Sequence, residues 1–100
     1  MPSVDSHGDI ETISQTDPIS MGDTVKLVFR TTGDSTPPFT IRIWGPSGKV
    51  VMERVLRELP TGAPQSAPPL TFVASSGGSY RLDIWQLQGK SRGEATIVVR

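Results

Sequence analysis

The chain has 100 residues, no cysteine and a formal net charge of zero. That length supports one domain around one hydrophobic core. The lack of cysteine excludes a disulfide framework and thiol chemistry, and the charge balance excludes the clustered basic face that nucleic acid requires.

Residues 1–20 are polar and contain Pro2, Pro18 and four acidic side chains, Asp5, Asp9, Glu11 and Asp17, with no Lys or Arg. Their apolar residues Val4, Ile10, Ile13 and Ile19 are widely spaced. This predicts an extended N-terminal arm ahead of a body at residues 21–100, with Asp9–Ser14 as the part able to join the body as a first strand. On a partner, Val4, Ile10, Ile13 and Ile19 would be the arm's apolar anchors. The opposite charge excess falls on the body, so the acidic arm is expected to lie on its own basic body or on a basic partner.

Met21-Gly22-Asp23 reads as a turn. Thr24–Thr31 reads as a strand with Val25, Leu27 and Phe29 inward and Lys26, Val28 and Arg30 outward. A polar loop follows over 32–38, then a strand over Phe39–Trp44 with Phe39, Ile41 and Ile43 on one face. Gly45-Pro46-Ser47-Gly48 is a hairpin-type turn. Lys49–Leu59 has broken alternation: Val50, Met52 and Arg54 share one face, whereas Val51, Val55 and Leu59 fall out of phase, the mark of a bulge or of a strand that switches sheets.

Pro60–Pro69 reads as a linker, since Pro64 and Pro68 lack the spacing of a proline-recognition ligand. Leu70–Ala74 is the next strand, with Leu70, Phe72 and Ala74 alternating. After the Gly77-Gly78 corner, Tyr80, Leu82 and Ile84 alternate with Ser79, Arg81 and Asp83, which predicts a half-buried strand to Leu87. A tyrosine placed just after such a corner can lock it by a hydroxyl-to-backbone hydrogen bond. A turn over 88–93 and a last strand over Glu94–Arg100, with Ala95, Ile97 and Val99 inward, complete the chain. That strand is uncapped and leaves an edge open for pairing.

Strands at this spacing predict an all-β fold, an Ig-like antiparallel β-sandwich of about seven strands preceded by the arm. From Gly22 onward the chain resembles immunoglobulin-like and fibronectin-type-III-like domains. The matching pieces are Gly22–Leu27, Ile41–Lys49, Gly78–Ile84 and Ala95–Val99, which look like strands B, C, F and G of such a sandwich. The inter-sheet disulfide of antibody domains is missing. By organisation alone, a short chain with a polar arm and a lone sandwich also resembles the decoration proteins of tailed-phage capsids.

Chemistry-bearing residues are sparse. Asp5-x-His7-x-Asp9 has metal-ligand residue types, but on a flexible arm it lacks fixed geometry and reads as a solvated polar segment. His7 is the only histidine, which speaks against a Ser-His-Asp arrangement. Gly45-x-x-Gly48 and Gly77-Gly78 open no helix and read as turns, not phosphate loops. No metal or cofactor is expected.

Strict alternation turns Trp44 and Trp85 outward, on strands that neighbour each other in an Ig-like sheet, beside Arg42, Arg81 and Asp83. Tryptophan with arginine is the composition of an interface hot spot. The plainer reading is that both rings close the end of the core.

The expected function is therefore non-enzymatic: a structural or binding protein, most concretely a decoration-type accessory on a virus capsid or similar lattice, held by its arm and one sandwich face. The alternative is an adhesion or carbohydrate-binding module of a larger bacterial surface protein. The first places the protein on the virion surface after synthesis in a host cytoplasm; the second places it on a cell surface or in a secreted chain. No run long enough for a membrane helix and no signal-peptide pattern at Met1 accompany either expectation.

Overall fold

The alternating apolar residues build a common core from two sheets. A computed structural model describes residues 2–7, 9–29, 38–57, 70–86 and 92–100, with backbone alone at 7 and 9–12. Among them are eight strands and no helix: β1 Ser3–His7, β2 Asp9–Gln15, β3 Thr24–Val28, β4 Phe39–Trp44, β5 Val50–Leu56, β6 Leu70–Val73, β7 Gly78–Gln86 and β8 Arg92–Val99. One sheet has the order β2-β1-β3-β6 and the other β5-β4-β7-β8. Every pairing is antiparallel except β1 with β3. Two such sheets around one core are compatible with a β-sandwich.

On β3, β4 and β7 the inward sets are those that alternation predicts, whereas on β5 Val50 and Met52, expected on one face, part to opposite faces. Val25, Leu27 and Phe29 meet Phe39, Ile41, Ile43, Leu82 and Ile84, all fully buried. Val28, expected outward, is also buried, outside that cluster and beside Asp5 in the β1–β3 register.

The N-terminal segment differs from the extended arm of the sequence reading. Residues 3–7 and 9–15 are strands, and β1 lies between β2 and β3. Val4 and Ile19 are fully buried in the core, and Ile13 packs against it half-buried. Their apolar surface is covered by this chain, so Val4 and Ile19 are not free to anchor a partner. The side chain of Ile10 lies outside the described residues, as do those of His7 and Asp9.

The same segment closes the edge that the uncapped last strand was expected to leave open. Ile19 bridges Val99, Arg100 N–H donates to the Ile19 carbonyl at 2.9 Å, and Met21 N–H donates to the Arg100 carbonyl at 2.9 Å. One step earlier the partner is a side chain. Val98 N–H donates to Gln15 Oε1 at 2.8 Å, and Gln15 Nε2 donates to the Val98 carbonyl at 3.4 Å. The Gln15 amide thus offers β8 the donor and acceptor of a peptide group.

Two turns fix the sheet that carries the site. Gly48 N–H donates to the Gly45 carbonyl at 2.9 Å and Gly45 N–H to the Lys49 carbonyl at 2.8 Å, with Gly48 at φ +86°. Proline second and a positive-φ glycine fourth is the hairpin pattern of a turn closed by a glycine bulge. On β5, Met52 faces Ile43 while Val50 faces Trp44, so Val51 is an inserted residue. That bulge is what breaks the alternation after Lys49. Arg54 Nη1 donates to the Glu53 carbonyl at 2.8 Å, so a side chain takes up a main-chain acceptor on this edge strand.

At the other turn the Tyr80 hydroxyl donates to the Ser76 carbonyl at 2.8 Å and accepts from Ser76 N–H at 3.2 Å. The ring is buried and meets Phe72 across the sheets at a centroid distance of 5.8 Å. This is the corner lock that the sequence predicts. Tyr80→Phe is expected to keep the ring packing and lose these two bonds together with the contact to Ser76 Oγ at 3.2 Å, costing about 1–2 kcal/mol in a urea unfolding titration. A change too small to resolve would mean that water replaces the hydroxyl without loss.

Candidate functional site

The outer face of β5-β4-β7-β8 is set by register. Opposed residues of an antiparallel pair project to the same side, which gives three rows across the four strands. The first runs Val50, Trp44, Arg81, Thr96; the second Glu53, Arg42, Asp83, Glu94; the third Val55, Thr40, Trp85, Arg92.

Arg42 sits at the centre of this face. Its guanidinium carbon lies 5.6 Å from the Trp44 ring centroid and 5.4 Å from that of Trp85. Arg81 lies 5.5 Å from the Trp44 centroid. The order along the face is therefore cation, aromatic, cation, aromatic. Both tryptophans are half-buried and neither belongs to the core cluster. Of the two sequence readings for these rings, the outward one matches their position, and Arg42 and Arg81 lie beside them as expected.

Carboxylates hold the arginines in place. Arg42 pairs with Glu53 across β4 and β5. Asp83, whose side chain is only 6% exposed, takes Arg81 at 3.2 Å and Arg92 at 3.3 Å. Arg81 also reaches Glu94 at 3.2 Å. The hydrogen bond and charge of Asp83 push the Arg81 pKa further up. Each arginine beside the rings thus has a carboxylate partner.

One end of the face is concave. A depression of about 380 Å³ is lined by Trp44, Pro46, Ser79, Arg81 and Thr96 among others. A second, of about 370 Å³, is lined by Arg81, Glu94, Ala95 and Thr96, and the two share Arg81 and Thr96. Among the described residues no cluster of three metal-ligating side chains occurs.

Of the candidate partner residues, the fold brings together Arg42, Trp44, Arg81 and Trp85 and separates them from Val4, Ile13 and Ile19. Sequence reading missed Glu53, Val50, Val55 and Arg92 as members of this face. Arg92 joins because β8 begins two residues before Glu94. Val50, Glu53 and Val55 share the face because the Val51 bulge shifts the phase, and Met52 points to the core instead. The out-of-phase valine in Val50-Val51 was the available signal.

If Arg42 clamps the rings, its effect is shared with theirs. In a double-mutant cycle of Arg42→Ala with Trp85→Ala, a coupling of about 0.5–1 kcal/mol is expected. Trp85→Ala alone is expected to cost less than the ~3–5 kcal/mol of a core aromatic. Additive losses would mean that Arg42 and Trp85 stand side by side without interacting.

Compared with known proteins, the chain matches no family model, no curated protein and no solved structure.

Proposed function

We propose that this chain is a non-catalytic protein-binding module, a structural component of a protein assembly, and that it docks through the outer face of β5-β4-β7-β8. The observation that carries this reading is the Arg81–Trp44–Arg42–Trp85 ladder on a sheet, its two tryptophans half-buried and both arginines paired with carboxylates. Rigid aromatics and arginines bind with little loss of side-chain freedom, which is why they dominate interface hot spots.

The fibronectin- or immunoglobulin-like resemblance fits this reading, because the face belongs to the sheet with the strands likened to C, F and G. The decoration-type accessory reading now depends on the face alone: two of the expected apolar anchors of the N-terminal segment, Val4 and Ile19, are in the core. A carbohydrate-binding module is less supported. A sugar stacks on an open ring face, whereas Trp44 carries two guanidinium groups within 5.6 Å and Trp85 carries one.

The test is co-sedimentation of the full chain with lysate from its source on a density gradient. The wild-type chain is expected in a fraction far heavier than itself, and Trp44→Ala/Trp85→Ala is expected at the top. Wild type and variant migrating together would overturn the assignment of the face.

A further inference from the structure

The pattern on the outer face is complementary to itself. Across β4 and β7 the register sets Trp44 beside Arg81, Arg42 beside Asp83 and Thr40 beside Trp85. Each row thus pairs an aromatic with a cation, a cation with an anion, or a hydroxyl with an aromatic. A two-fold axis parallel to the strands, between β4 and β7, would place β4 of one copy over β7 of another. The register neighbours of one chain would then face each other between chains; of these, Trp44 with Arg81 is a contact the single chain already makes, while Thr40 and Asp83 lie buried beneath it.

We infer that the occupant of this face is a second copy of the same chain, docked face to face about that axis. The inference rests on the reading of the outer face as a docking surface. Charge favours this partner over a strongly acidic or basic one. Arg42, Arg81 and Arg92 are balanced by Glu53, Asp83 and Glu94, so the face presents no net charge, and the whole chain is neutral. A partner of one sign meets as much repulsion as attraction, whereas a second copy sets the exposed Arg81 of each chain over Trp44 of the other.

The same axis sets β5 of one copy over β8 of the other. Val50, 50% exposed, would cover Thr96, and Val55, 61% exposed, would cover the aliphatic stem of Arg92. They are two of six exposed large apolar side chains among the described residues, and both lie on this face. One like-charge contact results at the rim, Glu53 over Glu94, which gives the geometry a signature.

The chain has no native cysteine, so single cysteines report cleanly. The variants V50C and T96C would be made separately, checked by thermal unfolding, and treated with a bismaleimide whose spacer matches the ~10 Å separation of facing sheets. A cross-linked dimer is expected when the two variants are mixed, and little from either variant alone. Sedimentation velocity over a concentration series should show the wild type shifting from monomer to dimer. Glu94→Gln should shift toward dimer at lower concentration, and Val55→Lys, which sets a cation over Arg92, should stay monomeric. A wild type that remains monomeric throughout, or cross-linking that is as strong in a single variant as in the mixture, overturns the proposal. A monomeric chain that still co-sediments with heavy particles through Trp44 and Trp85 would keep the docking face and reject the second copy as its partner.

Discussion

Removal of residues 1–20 is expected to abolish cooperative unfolding of the remaining chain. The segment supplies two of the four strands of the first sheet, and β1 is an interior strand, so its loss exposes the ladder of β3. It also removes Val4 and Ile19, both fully buried. Truncating one buried aliphatic side chain costs about 2–5 kcal/mol, and a domain of this size has only about 5–15 kcal/mol in total. The edge of β8 loses its clasp at Gln15 and Ile19 in the same step. Circular dichroism on residues 21–100 should show no sharp thermal transition. A cooperative transition within a few degrees of the full chain would show that the body folds alone and that residues 1–20 are an accessory to it.

Gly78→Ala is expected to destabilise the domain by about 2–5 kcal/mol, for two separable reasons. The residue sits at φ +127°, where a side chain is strained whatever the space around it. An added Cβ would also stand 2.9 Å from Cβ and Cγ of Pro46, in the hairpin turn between β4 and β5. Backbone strain is local, whereas the clash belongs to both residues. Pro46→Gly in the Gly78→Ala background should therefore recover part of the loss, and the cycle should be non-additive by about 1 kcal/mol or more. Strict additivity in chemical denaturation would leave the backbone angle as the whole cause. The contact ties the Tyr80 corner to the turn beside Trp44, so a disturbance at Gly78 should also be felt at one end of the outer face.

Much of the second sheet was legible because its signals are local. Phe39-Thr40-Ile41-Arg42-Ile43-Trp44 and Tyr80-Arg81-Leu82-Asp83-Ile84-Trp85 alternate without a break, so the faces of β4 and β7, and with them the tryptophan pair, follow from period two. Of the N-terminal hairpin only the second strand, expected at Asp9–Ser14, was legible. Val4 and Ile19 are fifteen positions apart among polar residues, and no short-range period links them. Val4 reaches the core because β1 pairs with β3 in parallel, and Ile19 because it bridges Val99, non-local contacts that composition does not encode. The outer face was readable in half for a similar reason. Its β5 members depend on one inserted residue, Val51, which shifts the phase between Val50 and Met52, and Arg92 depends on where β8 begins, while Ile97 and Val99 keep the predicted phase.

Gln15 carries a consequence for how this sequence can change over time. By composition it is an ordinary surface polar residue, free to drift. By geometry it replaces a piece of main chain, because it both donates to and accepts from Val98. Glutamate at this position keeps the acceptor and loses the donor, asparagine is one methylene short, and lysine lacks the acceptor altogether. A mutation at this codon is therefore an edit to the sheet itself, and drift at position 15 should be far narrower than its exposure suggests.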